Sequence, residues 1–105
     1  MVLELHGELD LAGAPLLQEE IDTAEGQAPA MLVLDLEDLA FIDSSGLRVI
    51  LSAHERAKER GHAFALTRGS QQVQRLLTIA GVSDRLHVIE SSETLVPERD
   101  GSDAA

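Results

Sequence analysis

The run Met31-Leu32-Val33-Leu34-Asp35-Leu36 constrains the fold more than any other stretch of this chain. It lacks the polar–apolar alternation of a strand with one wet face. It is therefore expected to be a central strand covered on both faces, as strands of parallel sheets are. On either side the apolar period changes. Upstream, Val2–Leu5 reads as a short strand ending at Gly7. Pro15 opens a helix with Leu17, Ile21 and Ala24 inward and Gln18, Glu19, Glu20 and Asp22 outward, and Gly26 stops it. Downstream, Glu37–Ile42 reads as a loop, and Asp43-Ser44-Ser45 starts a second helix that ends before Gly61. His62–Thr67 reads as a strand. Ser70 caps a third helix with Val73, Leu76, Leu77 and Ala80 at helical spacing, closed by Gly81, and Leu86–Ile89 is a last short strand. Ser91-Ser92-Glu93 could begin one more turn, but Pro97 and the Asp100-Gly101-Ser102-Asp103 tail cannot continue a helix. Strands alternating with helices read as an α/β or mixed sheet layered with helices, over residues 1–96. Residues 97–105 are expected to form a polar, disordered tail.

With 105 residues there is room for one domain, and 44% hydrophobic content excludes bulk disorder. Two Phe and no Tyr or Trp leave the core to Leu, Val, Ile and Ala. The absence of Cys excludes disulfides, thiol catalysis and cysteine metal sites. Glu4, Glu8 and Asp10 without any nearby Lys or Arg are wrong for a signal peptide, and no apolar run approaches the roughly 18 residues of a membrane helix. A soluble, cytoplasmic domain with no membrane contact is expected. The net charge is −11, and the signs are segregated. Residues 1–47 hold eleven acids and no base, whereas residues 48–89 hold seven bases against three acids. Nucleic acid is thus a poor partner, and a protein with a basic face is a better electrostatic match.

Chemistry fails on spacing. His54-Glu55-Arg56-Ala57-Lys58 is one residue short of the zinc-helix motif, with Lys where a second His must stand. His6, His62 and His87 lie in or beside strands without a partner at ligand spacing, so no metal site is expected. Ile42-Asp43-Ser44-Ser45-Gly46 has one glycine where a hydrolase elbow needs two. His54 follows Ser44 by ten residues on the same helix, roughly 15 Å away at 1.5 Å per residue, too far to act as its base. There is no phosphate-cradling glycine loop. Asp35, Glu37 and Asp38 after a strand suggest a phospho-aspartate receiver, but the only lysine, Lys58, falls on the second helix rather than after a late strand. The chain is not expected to be an enzyme, to have catalytic residues or to bind a cofactor.

What remains is Asp43-Ser44-Ser45-Gly46-Leu47, hydroxyls at a helix mouth. An Asp or Ser oxygen there can simply cap the helix, for about 1 kcal/mol. The same geometry also exposes a serine whose phosphoryl group would meet free N–H donors and the positive end of the helix dipole, with Arg48 one turn along. On the second helix Leu47, Val49, Ile50, Leu51, Ala53 and Ala57 span an arc wider than one contact needs. Most of it is expected to be core, with Val49 at the edge available to a partner.

Gly7-Glu8-Leu9-Asp10, Leu34-Asp35-Leu36-Glu37-Asp38-Leu39, Phe41-Ile42-Asp43-Ser44-Ser45-Gly46-Leu47 and Ala80-Gly81-Val82, in this order from about Val2 to Leu95, resemble bacterial anti-sigma factor antagonists of the STAS domain family. The resemblance implies a four- or five-stranded mixed sheet with helices packed against it. It also implies partner switching. The unphosphorylated antagonist binds an anti-sigma factor, a serine kinase of the GHKL type, and so frees a sigma factor; phosphorylation separates the pair, and a PP2C-type phosphatase resets it. The acceptor maps onto Ser44. Ser45 is the second hydroxyl, Asp43 and Gly46 shape the turn, and Asp10 lies in the neighbouring contact surface; Arg48 and Val49 complete the expected partner-binding set.

Three features depart from the pattern. The family implies a further strand before the one ending at Gly7; either the start site is misplaced, or an edge is left open to self-pairing, as monomer or weak dimer. Pro97 curtails the last helix. Arg48 stands where relatives often carry a small residue. A second reading is a STAS module serving as a non-switched structural subunit of a stress-sensing or lipid-transport assembly, indifferent to position 44.

Overall fold

The computed structural model describes residues 1–82 and 84–90. In chain order these form β1 (Val2–Leu9), α1 (Ala14–Glu25), β2 (Met31–Ile42), α2 (Ser44–Arg60), β3 (Ala63–Thr67), α3 (Gln71–Ile79) and β4 (Val88–Ile89). The strands make one sheet in the order β1-β2-β3-β4. All three pairings are parallel. The expected mixed sheet is therefore corrected among the described strands. An antiparallel pair comes from a hairpin, and here every connection between neighbouring strands carries a helix. The turn expected at Ser91-Ser92-Glu93, the boundary at residue 96 and the tail lie outside the described residues.

The continuous apolar run behaves as its lack of alternation predicts. Leu32, Leu34 and Leu36 enter the core, and Val33 between them is buried as well, beside Ala65 of β3. The core gathers this row with Leu17, Ile21 and Ala24 of α1, Leu47, Ile50, Ala53 and Ala57 of α2, and Val73 and Leu77 of α3. Val49, Leu51 and Leu76 pack against it half-buried, whereas Ala80 is exposed at the end of α3. Aliphatic burial of this kind contributes about 25 cal/mol per Å2 of apolar surface removed from water.

The strand boundaries move. β2 does not stop at Leu36, and Glu37–Ile42 continues it as strand rather than loop. Leu39 and Ile42 are buried along that extension while Glu37, Asp38, Ala40 and Phe41 are exposed. β1 likewise runs past Gly7 to Leu9. Gly7 has a φ of +72°, a value that suits glycine, and the register with β2 shifts between Gly7 and Glu8 and again between Glu4 and His6. The acids that suggested a loop are thus the exposed residues of a bulged strand pair. β4 is shorter than expected, because Leu86 donates its N–H to the Val82 carbonyl (3.2 Å) in a turn before the ladder begins.

Buried polar groups tie the elements together. At the end of the β2–β3 ladder the Thr67 hydroxyl accepts from the Leu36 N–H (2.7 Å) and donates to Asp35 Oδ1 (3.0 Å). Asp35 is thereby a structural residue of the sheet. Between α1 and α2, the Glu25 carboxylate is buried, with its side chain 3% exposed, and receives Arg56 Nε at 3.0 Å and Arg60 Nη1 at 3.4 Å. After α3, Gly81 turns with a φ of +75° and lets Val82 fold back into the core, its N–H on the Leu77 carbonyl at 3.1 Å.

Candidate functional site

The parallel strands all end on one edge of the sheet, and the serine motif lies there, since Asp43 alone separates β2 from α2. Asp43 takes the extended conformation of an N-cap (φ −115°, ψ −172°), and its Oδ1 accepts from Ser45 N–H at 2.8 Å and Gly46 N–H at 3.1 Å. Two of the donors expected to be free for a phosphoryl group, those of Ser45 and Gly46, are therefore already held by the Asp43 carboxylate. Leu47 N–H reaches the Asp43 carbonyl at 3.0 Å and begins the regular helix.

The glycine–aspartate block meets this mouth through its leucine. The Asp43 N–H donates to the Leu9 carbonyl at 3.1 Å. Gly46 lies directly against the same residue, and a Cβ there would stand 2.5 Å from Leu9 Cγ and 2.8 Å from the Leu9 carbonyl oxygen. Only hydrogen fits. Gly46 is buried, and its lack of a side chain shapes the mouth. Leu9 is the residue that sequence reasoning missed. The signal was present, since an apolar residue between two acids at a strand end needs somewhere to go. Asp10 follows and closes its own turn, its Oδ1 accepting from Ala12 and Gly13 N–H at 3.1 Å each.

The sites expected from sequence thus fall into two groups. Asp10, Asp43, Ser44, Ser45 and Gly46 are brought together, with Ser44 exposed and Ser45 half-buried. Neither hydroxyl has a partner among the described residues. Arg48 is exposed one turn along α2, and Val49 is half-buried against the core. The histidines are dispersed. His6 sits between Glu4 and Asp38 at 3.7 Å each on the exposed surface, while His54 packs near Phe64 with ring centroids 6.2 Å apart. Among the described residues no cluster of three or more His, Asp or Glu is arranged to hold a metal ion, and no helix is long and apolar enough to cross a membrane.

Comparison with known proteins agrees with this arrangement. The STAS domain family model matches residues 1–95. The anti-sigma-B factor antagonist of Bacillus subtilis (strain 168) is 31% identical over 91 residues, 87% of this chain and 83% of that one. An anti-sigma factor antagonist from Mycobacterium paratuberculosis superposes with a TM-score of 0.82 at 22% identity, over 92% of this chain and 82% of that one. The anti-sigma factor antagonist SpoIIAA in its unphosphorylated form gives a TM-score of 0.77 at 25% identity, covering 95% and 87%. SpoIIAA of Bacillus has also been solved in its phosphorylated form. These relatives are named as antagonists of regulators, a binding role rather than a catalytic one.

Proposed function

Because this chain belongs to the STAS domain family, we propose that it is an anti-sigma factor antagonist switched by phosphorylation at Ser44. Unphosphorylated, it binds an anti-sigma factor serine kinase of the GHKL type in the cytoplasm and releases a sigma factor. The kinase supplies ATP and magnesium, and a PP2C-type phosphatase restores the serine. The observation that carries this reading is the exposed, unpartnered Ser44 hydroxyl in the first turn of a helix whose cap is already satisfied.

The cap decides how the switch works. Asp43 holds the Ser45 and Gly46 N–H groups, so a phosphoryl group on Ser44 would have to compete with that carboxylate for them. It would add roughly −1.5 to −2 charges to a surface that already carries Asp43 and Asp10. A partner face that accepts a hydroxyl beside two carboxylates would meet a bulky dianion instead. Arg48, four residues on and on the same helix face, is the nearest cation in sequence and would be drawn to that group and away from the partner. Ser45 and Val49 flank Ser44 in the proposed contact surface, with Asp10 across from it.

The test is intact mass before and after incubation with ATP, magnesium and an anti-sigma kinase from the same genome, for wild type and Ser44→Ala. One phosphoryl group added to wild type alone is the expected result. A complex that forms regardless of ATP and of position 44 would favour the non-switched structural subunit instead.

A further inference from the structure

Beyond the serine mouth, the same edge of the sheet carries an apolar groove between the end of β2 and α3. It encloses about 270 Å3 and is lined by Phe41, Ile42, Gln72, Arg75, Leu76 and Ile79. Phe41 and Ile42 directly precede Asp43 in the chain, and the Ser70 hydroxyl at the head of α3 donates to the Ala40 carbonyl at 3.4 Å, which ties α3 to this end of β2. Two of its residues are expensive to leave in water: Ile79 is 73% exposed and Phe41 44%. Scattered apolar residues on a surface are ordinary, but these two line one groove beside a site that must recognise a partner.

The charges narrow the occupant. Of the six described arginines, Arg56 and Arg60 are paired with Glu25, Arg68 with Glu90 and Arg85 with Glu55. The two without an ion pair among the described residues are Arg48 and Arg75. Arg48 lies on α2 one turn from Ser44, and Arg75 lies in the groove wall. The groove adjoins Asp43 through Phe41 and Ile42, so the partner proposed for the serine mouth is its occupant.

We infer that this groove is a second docking surface for the anti-sigma partner, and that it takes a segment with an apolar side chain flanked by carboxylates. The apolar side chain inserts between Phe41 and Ile79, and a carboxylate meets Arg75. The partner's face is then of mixed sign, basic opposite Asp10 and Asp43 and acidic opposite Arg75. That ordering gives one orientation of docking, which is what complementary charge supplies best. The inference rests on the function proposed above and adds where the partner's specificity is read.

The experiment is calorimetric titration of the full chain with the kinase that phosphorylates it, at low and high salt. Ile79→Ser, Arg75→Glu and Arg75→Lys are compared with Ser44→Asp, after thermal melts confirm that the exposed substitutions leave the fold intact. Ile79→Ser and Arg75→Glu are each expected to weaken binding by about tenfold or more. Arg75→Lys should retain most of the affinity, and the Arg75→Glu deficit should shrink as salt rises. Wild-type affinity in both groove variants, with Ser44→Asp still rejected, would overturn the docking surface and leave the switch standing. Weak groove variants alongside full binding by Ser44→Asp would keep the docking surface and remove the switch. A wild-type dimer in sedimentation that Ile79→Ser dissolves would assign the groove to a second copy and overturn the inference.

Discussion

The two ends of α2 spend their charge differently. At the C-terminal half, Arg56 and Arg60 close on a buried carboxylate from α1, while Ala53 and Ala57 let the helix approach the core. At the N-terminal end, Asp43 satisfies the helix donors, Ser44 stays open, and Arg48 has no ion pair among the described residues. Charge consumed inside the fold holds the helix in place. Charge left over at the mouth is available to something else. The difference follows from burial, because a desolvated carboxylate must be paired while an exposed one need not be.

The strongest way to break this contrast is Glu25→Ala. Removing one partner of a buried pair leaves the half-buried Arg56 uncompensated, and a loss of about 3 kcal/mol in urea unfolding is expected. Phosphorylation of the fraction still folded should proceed normally, since the mouth is untouched. A loss below about 1 kcal/mol would place the pair with ordinary surface ion pairs and erase the contrast. Gly46→Ala should come next, at about 1–3 kcal/mol, because its methyl would overlap both the side chain and the carbonyl of Leu9. Unlike Glu25→Ala, it should also slow phosphate incorporation in folded protein, by shifting the helix mouth against the Asp10 turn.

Asp43→Ala removes the cap and is expected to cost about 1 kcal/mol in the same unfolding assay, with Asp43→Asn nearly silent. Equal losses from both would mean that the negative charge, not the acceptor geometry, matters at the cap. Ser44→Ala should change stability by less than about 0.5 kcal/mol, as an exposed serine with no partner must. It should nonetheless abolish phosphate incorporation in the mass measurement. That separation of stability from modification is the sharpest statement of how the mouth differs from the rest of α2.

Much of the molecule was legible from local pattern. Pro15 and Gly26 bracket α1, Asp43 and Gly61 bracket α2, and Ser70 and Gly81 bracket α3, because caps act through bonds within a few residues. Glu25 was readable but overlooked. It falls four residues after Ile21, on the apolar stripe rather than the polar one, and an acid in that phase asks for a buried partner. Glu37–Ile42 was not readable in the same way. Its acids and broken alternation look like a loop, and only pairing with a bulged β1 makes it a strand. The parallel direction of every pairing, by contrast, follows from the strand–helix alternation, since a helix between neighbouring strands returns the chain to the same end of the sheet.

Sequence alone was enough for the α/β class, the doubly covered central strand, the helix caps and the serine motif with its family resemblance. Each of these depends on spacing within about one or two turns of chain, where the residues involved cannot avoid one another. Long-range geometry was needed for the rest. It closes Glu25 on Arg56 and Arg60, 31 and 35 residues away, and seats Gly46 against Leu9. It also leaves Arg75 and Ile79 beside Phe41 in one groove. The contact of Gly46 with Leu9 exists because parallel strands bring their carboxyl ends to one edge, and no local pattern specifies which distant side chains will meet at either end of the helices.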